Sequence, residues 1–174
     1  MSVGRSNAYW AANRYADEAE QPAATAPLTD LPAAPAGRFE ALRTGLLGLA
    51  GVGEVVRFMG SSWRWAWEYS VGSRKLCWIH VVGKALSVTF TMTEAEEDRL
   101  RRAGRVPADL ARAIAEAQRT GPVRWCWLPL DDRRAVDGFL RLAARKAEWL
   151  AERPTPHRAP RARRVAAEES DDSE

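Results

Sequence analysis

The amino-acid sequence predicts an α+β fold, in which an antiparallel sheet of about four to five strands packs against three to four helices. The run WRWAWEY at residues 63–69 alternates aromatic and other side chains, as a strand does. Two turn-linked strand patterns follow it, and helical apolar patterns lie on both sides of this region. We predict one domain at residues 38–151, a flexible segment with a Pro/Ala linker at 1–37, and a disordered basic-then-acidic tail at 152–174.

The aromatic run is the most specific feature of the sequence. In an extended strand, its four rings would form one face of the sheet: Trp63, Trp65, Trp67 and Tyr69. Three residues would lie on the reverse face: Arg64, Ala66 and Glu68. Other strand-like runs carry further rings that could join the same sheet: Trp78, Trp125 and Trp127.

The first predicted elements are a helix and a meander of strands. Phe39, Leu42 and Leu46 recur at helical spacing and end near the glycines at 51 and 53. A short strand at 54–59 leads into the aromatic strand. Turn residues at 71–74 and 83–84 then separate two more strands, at 76–82 and 86–92. Hairpin-linked strands in this order predict antiparallel pairing.

The second half of the domain mixes helices with one late strand. Thr93 and Glu96 have the spacing of a capping box, which predicts a helix from residue 94 to about 103. Gly104 and Pro107 interrupt it before a second helix at 108–118, and a strand follows at 123–130. Asp131 or Asp132 can cap the last helix, whose apolar residues repeat at three- and four-residue steps up to Leu150.

The composition is that of a globular protein without a membrane-spanning helix. The 174 residues are 46% hydrophobic and 28% charged, with no apolar run long enough for a membrane helix and no secretory signal pattern. We therefore expect a cytoplasmic protein. Four prolines between residues 21 and 37 favour a linker there, and the last 21 residues have almost no apolar side chains.

The net charge of +3 hides an uneven distribution, since residues 38–151 contain 19 Lys and Arg against 13 Asp and Glu. The excess is moderate, and the aromatic run contains one basic residue, Arg64. This pattern disfavours nucleic acid as a partner. Cys77 and Cys126 lack metal-ligand spacing and are expected to be buried and reduced. We predict no cofactor.

Two readings of the aromatic residues remain open. The rings could simply form the core beneath the helices, or some could wall a pocket for a small planar or cationic molecule. The second reading gives these candidate ligand-binding residues: Trp63, Trp65, Trp67, Tyr69, Trp78, Trp125, Trp127, Arg64, Glu68 and His80. Arg64 and Glu68 are too far apart along a strand to pair, so each should contact a cross-strand neighbour or solvent. His80 shares the strand face of Trp78 and is favoured as a structural histidine over a catalytic base.

The acidic residues at 94, 96, 97 and 98 are candidate metal ligands, but a structural role is favoured, because the helix dipole alone favours carboxylates in a first helical turn. The sequence contains no phosphate-binding glycine loop, nucleophile elbow or zinc-protease motif. A non-enzymatic domain is therefore favoured over an enzyme.

Several spaced features resemble a bacterial domain of unknown function, the family numbered 3788. They are the run from Gly60 to Cys77 with Trp65 and Tyr69, the hairpin at 83–90, the helix start Thr93-Glu94, the strand at Arg124-Trp125, and the last helix with Lys146. The resemblance covers about residues 39–150. The chain differs at Arg64, where the family commonly has glycine, and at Glu68, where it often has a basic residue. The resemblance implies a small α+β architecture, similar to domains proposed as frataxin-like iron chaperones or ligand-binding modules.

The sequence therefore predicts a ligand-binding or accessory domain with a tryptophan-lined pocket on its sheet. The alternative is a protein-interaction module that uses its tails and the Tyr9-Trp10 pair as docking elements.

Overall fold

The computed structural model describes residues 6–152 of the chain. Within them lie seven helices: α1 (Asn7–Ala11), α2 (Ala26–Asp30), α3 (Ala33–Leu47), α4 (Gly60–Trp63), α5 (Glu94–Arg102), α6 (Ala108–Ala115) and α7 (Arg133–Glu152). The same range contains six strands: β1 (Val52–Phe58), β2 (Trp65–Val71), β3 (Arg74–Val82), β4 (Ala85–Thr93), β5 (Gln118–Thr120) and β6 (Val123–Pro129). The predicted α+β class is confirmed, with slightly more strands than expected.

The six strands form one antiparallel sheet in the order β1-β2-β3-β4-β6-β5. The predicted meander is β2-β3-β4. Gly83 and Lys84 connect the paired residues Val82 and Ala85, and Gly83 has a φ of 60°, which favours glycine in such a tight turn. β5 adds a short strand at the edge beside β6, where the sequence predicts the end of a helix.

Helices α3 and α7 pack on one face of the sheet, which we call the helix face. Phe39 and Leu42 from α3 and Phe139 from α7 are buried there with the apolar residues of β3 and β4. Leu100 of α5 and Leu110 of α6 belong to the same core. The alternating side chains of the central strands therefore supply the apolar layer that the helices cover.

The opposite face carries Trp78 on β3 and Trp125 and Trp127 on β6, and we call it the tryptophan face. Register fixes this assignment, because Trp78 and Trp127 both lie opposite Thr89 of β4. The short helices α1 and α4 cover only part of this face: Trp10 of α1 contacts Trp63 of α4.

Both predicted helix caps form. The Thr93 hydroxyl accepts from the Glu96 amide at 3.2 Å, and the Glu96 carboxylate accepts from the Thr93 amide at 2.8 Å. Asp132 caps α7 by accepting from the Ala135 amide at 2.7 Å. Glu96 also binds the buried ammonium group of Lys146 at 2.9 Å, which ties α5 to α7.

The N-terminal segment differs from the predicted linker, because its described part packs on the domain. Asn13 forms an isolated antiparallel β-bridge with Val82, the last residue of β3. Trp10 is buried. Two prolines predicted to block helices instead lie in first turns: Pro27 in α2 and Pro35 in α3. An amide in the first turn has no partner within its helix, so proline costs little there.

The predicted tail lies outside the described residues, apart from Glu152 at the end of α7. No helix within residues 6–152 combines the length and the apolar character needed to cross a membrane.

Candidate functional site

Trp65, Trp67 and Tyr69, predicted as pocket residues, lie on the helix face. Their exposed fractions are 7%, 0% and 0%. Each ring also has its polar atom bonded: Trp65 Nε1 donates to the Asp17 carbonyl at 2.6 Å, Trp67 Nε1 to the Ala24 carbonyl at 2.8 Å, and Tyr69 Oη to Glu54 Oε2 at 2.6 Å. They are core residues and do not wall an open pocket.

Trp63 is separated from these rings, so the predicted single aromatic face is wrong. β2 begins only at Trp65, and the preceding residues form the helical turn α4. Arg64 joins the two elements with a φ of 61° and a ψ of −143°. This unusual backbone breaks the strand alternation, and Trp63 joins the rings of the tryptophan face.

Trp63, Trp78 and Trp125 form a group that we call the tryptophan cluster. Trp78 and Trp125 are stacked, with ring centroids 5.6 Å apart and planes inclined by 28°. The Trp63 ring meets both edge-on, at 5.7 Å and 5.9 Å. Trp78 is buried, Trp63 is partly exposed, and Trp125 is 39% exposed. Trp125 is therefore the most exposed ring of the cluster, and it packs on the rings of Trp78 and Trp63.

Glu68 of β2 holds the Trp78 ring of the cluster in place by a hydrogen bond. Its carboxylate accepts from Trp78 Nε1 at 2.9 Å and pairs with Lys75 at 2.5 Å and Arg57 at 3.3 Å. Burial alone would raise the pKa of Glu68, but the hydrogen bonds from Lys75 and Trp78 outweigh it, and the pKa lies below its ordinary value. The expected cross-strand contact is confirmed, because Trp78 lies directly opposite Glu68.

Arg64 forms no ion pair with a described residue, and its Nε is buried without a hydrogen-bond partner among them. A non-glycine residue at this φ costs about 1–3 kcal/mol. As predicted, Arg64 does not pair with Glu68, which binds Arg57 and Lys75. The predicted place of Arg64 on the reverse face of the strand is wrong, because Arg64 precedes β2.

His80 shares the face of Trp78, as predicted, and is completely buried. Its Nε2 lies 2.9 Å from Thr89 Oγ1, while the rings of Trp10 and Trp63 lie 4.9 Å and 5.0 Å from the imidazole. Burial lowers the pKa of His80 to about 3, so the ring is neutral near pH 7. These contacts describe a structural histidine.

A cleft of about 440 Å³ opens beside Trp125 and Trp127, between α6, β6 and the start of α7. Ala113 of α6 and Leu128 of β6 also line it. Tyr9 meets the Trp127 ring edge-on at 6.0 Å, so the described N-terminal segment reaches this part of the sheet. Of the predicted site residues, the structure brings two to this cleft.

The cleft is strongly acidic. Four carboxylates line it: Asp109, Glu116, Asp131 and Asp132. Among the described residues, the only cation in the lining is Arg112, which lies 3.7 Å from Asp109. Asp131 and Glu116 form no ion pair within the described chain. This charge imbalance favours a cationic group in the cleft.

Sequence reasoning missed Asp131 and Glu116 as site residues. The two lie at the ends of elements on either side of β5 and β6, 15 positions apart in the sequence. The sequence gives one indication of them, which is that acidic residues flank the segment that contains Trp125 and Trp127. Helix capping already explained an aspartate at 131 or 132.

The acidic start of α5 has structural partners. Glu96 binds Lys146, and Glu97 binds Arg124 at 2.9 Å. No cluster of His, Cys, Asp and Glu suited to a metal ion occurs within residues 6–152. Cys77 and Cys126 are buried and free, as predicted, and burial raises the pKa of both thiols.

Comparison with known proteins identifies no relative: no family model matches the chain, and neither curated proteins nor solved structures give a significant match.

Proposed function

We propose that the protein is a binding domain for a small, planar and cationic molecule, and that the ligand occupies the cleft beside Trp125 and Trp127. The observation that carries this proposal is the exposed Trp125 ring, which stacks on Trp78 and lines an acidic cleft. A partly exposed indole that packs on a second indole offers a flat, rigid surface on which a planar ligand can stack.

The cleft chemistry favours a ligand that combines a flat ring with a positive charge. An aromatic face attracts a cation by about 0.5–2 kcal/mol, and an exposed ion pair adds up to about 1 kcal/mol. Trp125 and Trp127 supply indole surface, while Asp131 and Glu116 supply negative charge and form no ion pair within the described chain. A cleft of this volume is within the range of small-molecule sites.

The buried titratable groups favour binding over catalysis. His80 is neutral, covered by Trp10 and Trp63, and hydrogen-bonded to Thr89. Trp10 is itself buried, which weighs against the alternative that the Tyr9-Trp10 pair docks on another protein.

Benzamidine and benzamide provide a direct test, because they have nearly the same shape and only benzamidine is charged. We expect saturable calorimetric binding of benzamidine, with benzamide at least about tenfold weaker, as a 1.4 kcal/mol difference gives. Asp131→Asn should weaken benzamidine binding several-fold. Glu148→Gln, which removes an exposed carboxylate outside the cleft lining, should leave it unchanged. Equal binding of both compounds, or equal effects of both variants, would contradict the proposal.

A further inference from the structure

A second concave region lies on the helix side of the protein, between the α5–α6 connection and α7. A cavity of about 440 Å³ is lined by Arg105, Val106, Pro107, Ala108, Arg134 and Arg141. A smaller cavity of about 90 Å³ shares Arg105 and Arg141 and adds Arg145. We call the two together the arginine groove.

Three of the arginines come from one stripe of α7. Residues 134, 141 and 145 are separated by seven and four positions, which are close to whole helical turns. Gly138 lies on the same stripe, and Pro107 packs there, since a methyl group added to Gly138 would meet Pro107 Cγ at 3.5 Å. Arg105, two residues before Pro107, lines both cavities together with Arg141 of the stripe.

The groove has an unbalanced charge. None of its four arginines forms an ion pair with another residue of the described range, and no acidic residue lines either cavity. Neighbouring arginines behave differently: Arg133 pairs with Asp137 at 3.0 Å, and Arg101 pairs with Asp98 at 2.8 Å. Four clustered cations repel one another, and an anion in the groove would remove that repulsion.

Several arginine side chains in one groove suit an anion with several oxygen atoms. Guanidinium groups bind phosphate oxygens through paired hydrogen bonds. Ala108, the first residue of α6, lines the larger cavity, and no side chain caps this helix start. Within residues 6–152, no aromatic side chain on which a base could stack lines the groove, so single-stranded nucleic acid is not favoured.

We propose that the arginine groove binds condensed phosphate, that is, a chain of two or three linked phosphate groups, either free or as part of a nucleotide. Arg105 and Arg141 line both cavities and are central to the site. This site shares no lining residue with the cleft beside Trp125 and Trp127 and is separate from it.

Calorimetric titration with inorganic tripolyphosphate tests the site on the full chain. We expect one saturable site, weakened about tenfold by Arg105→Gln or Arg141→Gln, since a charge-assisted contact is lost in each. Both residues are exposed, and circular dichroism verifies that the variants fold. Arg102→Gln is the matched control, because Arg102 is exposed on nearby α5 and lines neither cavity. It should change the affinity by less than about twofold.

Adenosine triphosphate without magnesium forms the second arm. Equal affinity for the two compounds would identify the phosphate chain as the recognised group, and tighter binding of the nucleotide would identify a nucleotide ligand. The proposal is overturned if tripolyphosphate does not saturate the protein, or if Arg102→Gln weakens binding as much as Arg141→Gln. It is also overturned if an oligothymidylate binds more tightly than tripolyphosphate and is insensitive to Arg141→Gln.

Discussion

The indole of Trp125 stacks on that of Trp78 across the tryptophan face, with their centroids 5.6 Å apart. Register explains the contact, since both residues project from the same side of the sheet: Trp78 lies opposite Thr89, and Trp125 lies opposite Thr91. The aromatic residues thus serve two purposes on two faces. Trp65 and Trp67 fill the buried side, while the tryptophan cluster forms a surface.

The two faces should respond differently to truncation. Trp67→Ala removes a completely buried ring beside Phe39 and should cost about 3–5 kcal/mol of unfolding free energy. Trp125→Ala removes a ring that is 39% exposed and should cost about 1 kcal/mol, mainly its contact with Trp78. Urea unfolding measures both values. Similar losses for the two variants would contradict the assignment of faces.

Arg64→Gly should stabilise the protein by about 1 kcal/mol, because glycine adopts the φ of 61° without strain. Arg64→Ala is the control, since alanine removes the same side chain and keeps the strain. Thermal unfolding should therefore rank glycine above alanine. A glycine variant less stable than the alanine variant would show that this backbone is not strained.

The pH dependence of stability should reveal His80. Its folded-state pKa of about 3 lies below the ordinary 6.5, so the unfolded chain binds a proton first as the pH falls. The free energy of unfolding should therefore fall by about 2 kcal/mol as the pH is lowered from 7 to 5. Urea unfolding of His80→Gln should lack this part of the decline. Parallel pH profiles for the two proteins would rule out a buried neutral histidine.

Trp10 should keep water from His80, because its ring lies 4.9 Å from the imidazole and is itself buried. Trp10→Ala should therefore raise the pKa of His80 towards its ordinary value. Proton NMR can follow the change, as the chain has only two histidines. An unchanged pKa of His80 would show that Trp10 of α1 does not shield the imidazole from water.

The sequence predicted the elements whose patterns are local. The capping box of Thr93 and Glu96 and the apolar steps of the last helix depend on neighbours within a few residues, and both form as expected. The site was harder to predict. Alternation in WRWAWEY predicts one aromatic face, but the helical turn α4 and the unusual backbone at Arg64 place Trp63 on the other side.

Contacts between distant parts of the chain could not be predicted from such patterns. Nothing near Asp17 or Ala24 in the sequence indicates that their carbonyls accept from Trp65 and Trp67. The cleft likewise depends on how α6 and α7 pack beside β6, which brings Glu116 and Asp131 around Trp125.

The central claim is that ligand binds in the cleft beside Trp125 and Trp127 and not around the buried rings of Trp65 and Trp67. The indole N–H signals of the eight tryptophans in a proton–nitrogen NMR spectrum test it during a titration with benzamidine. We expect progressive, saturable shifts for Trp125 and Trp127, with the signals of Trp65 and Trp67 unchanged. Shifts confined to Trp65 and Trp67, or no shift of Trp125 at saturating benzamidine, would contradict the claim.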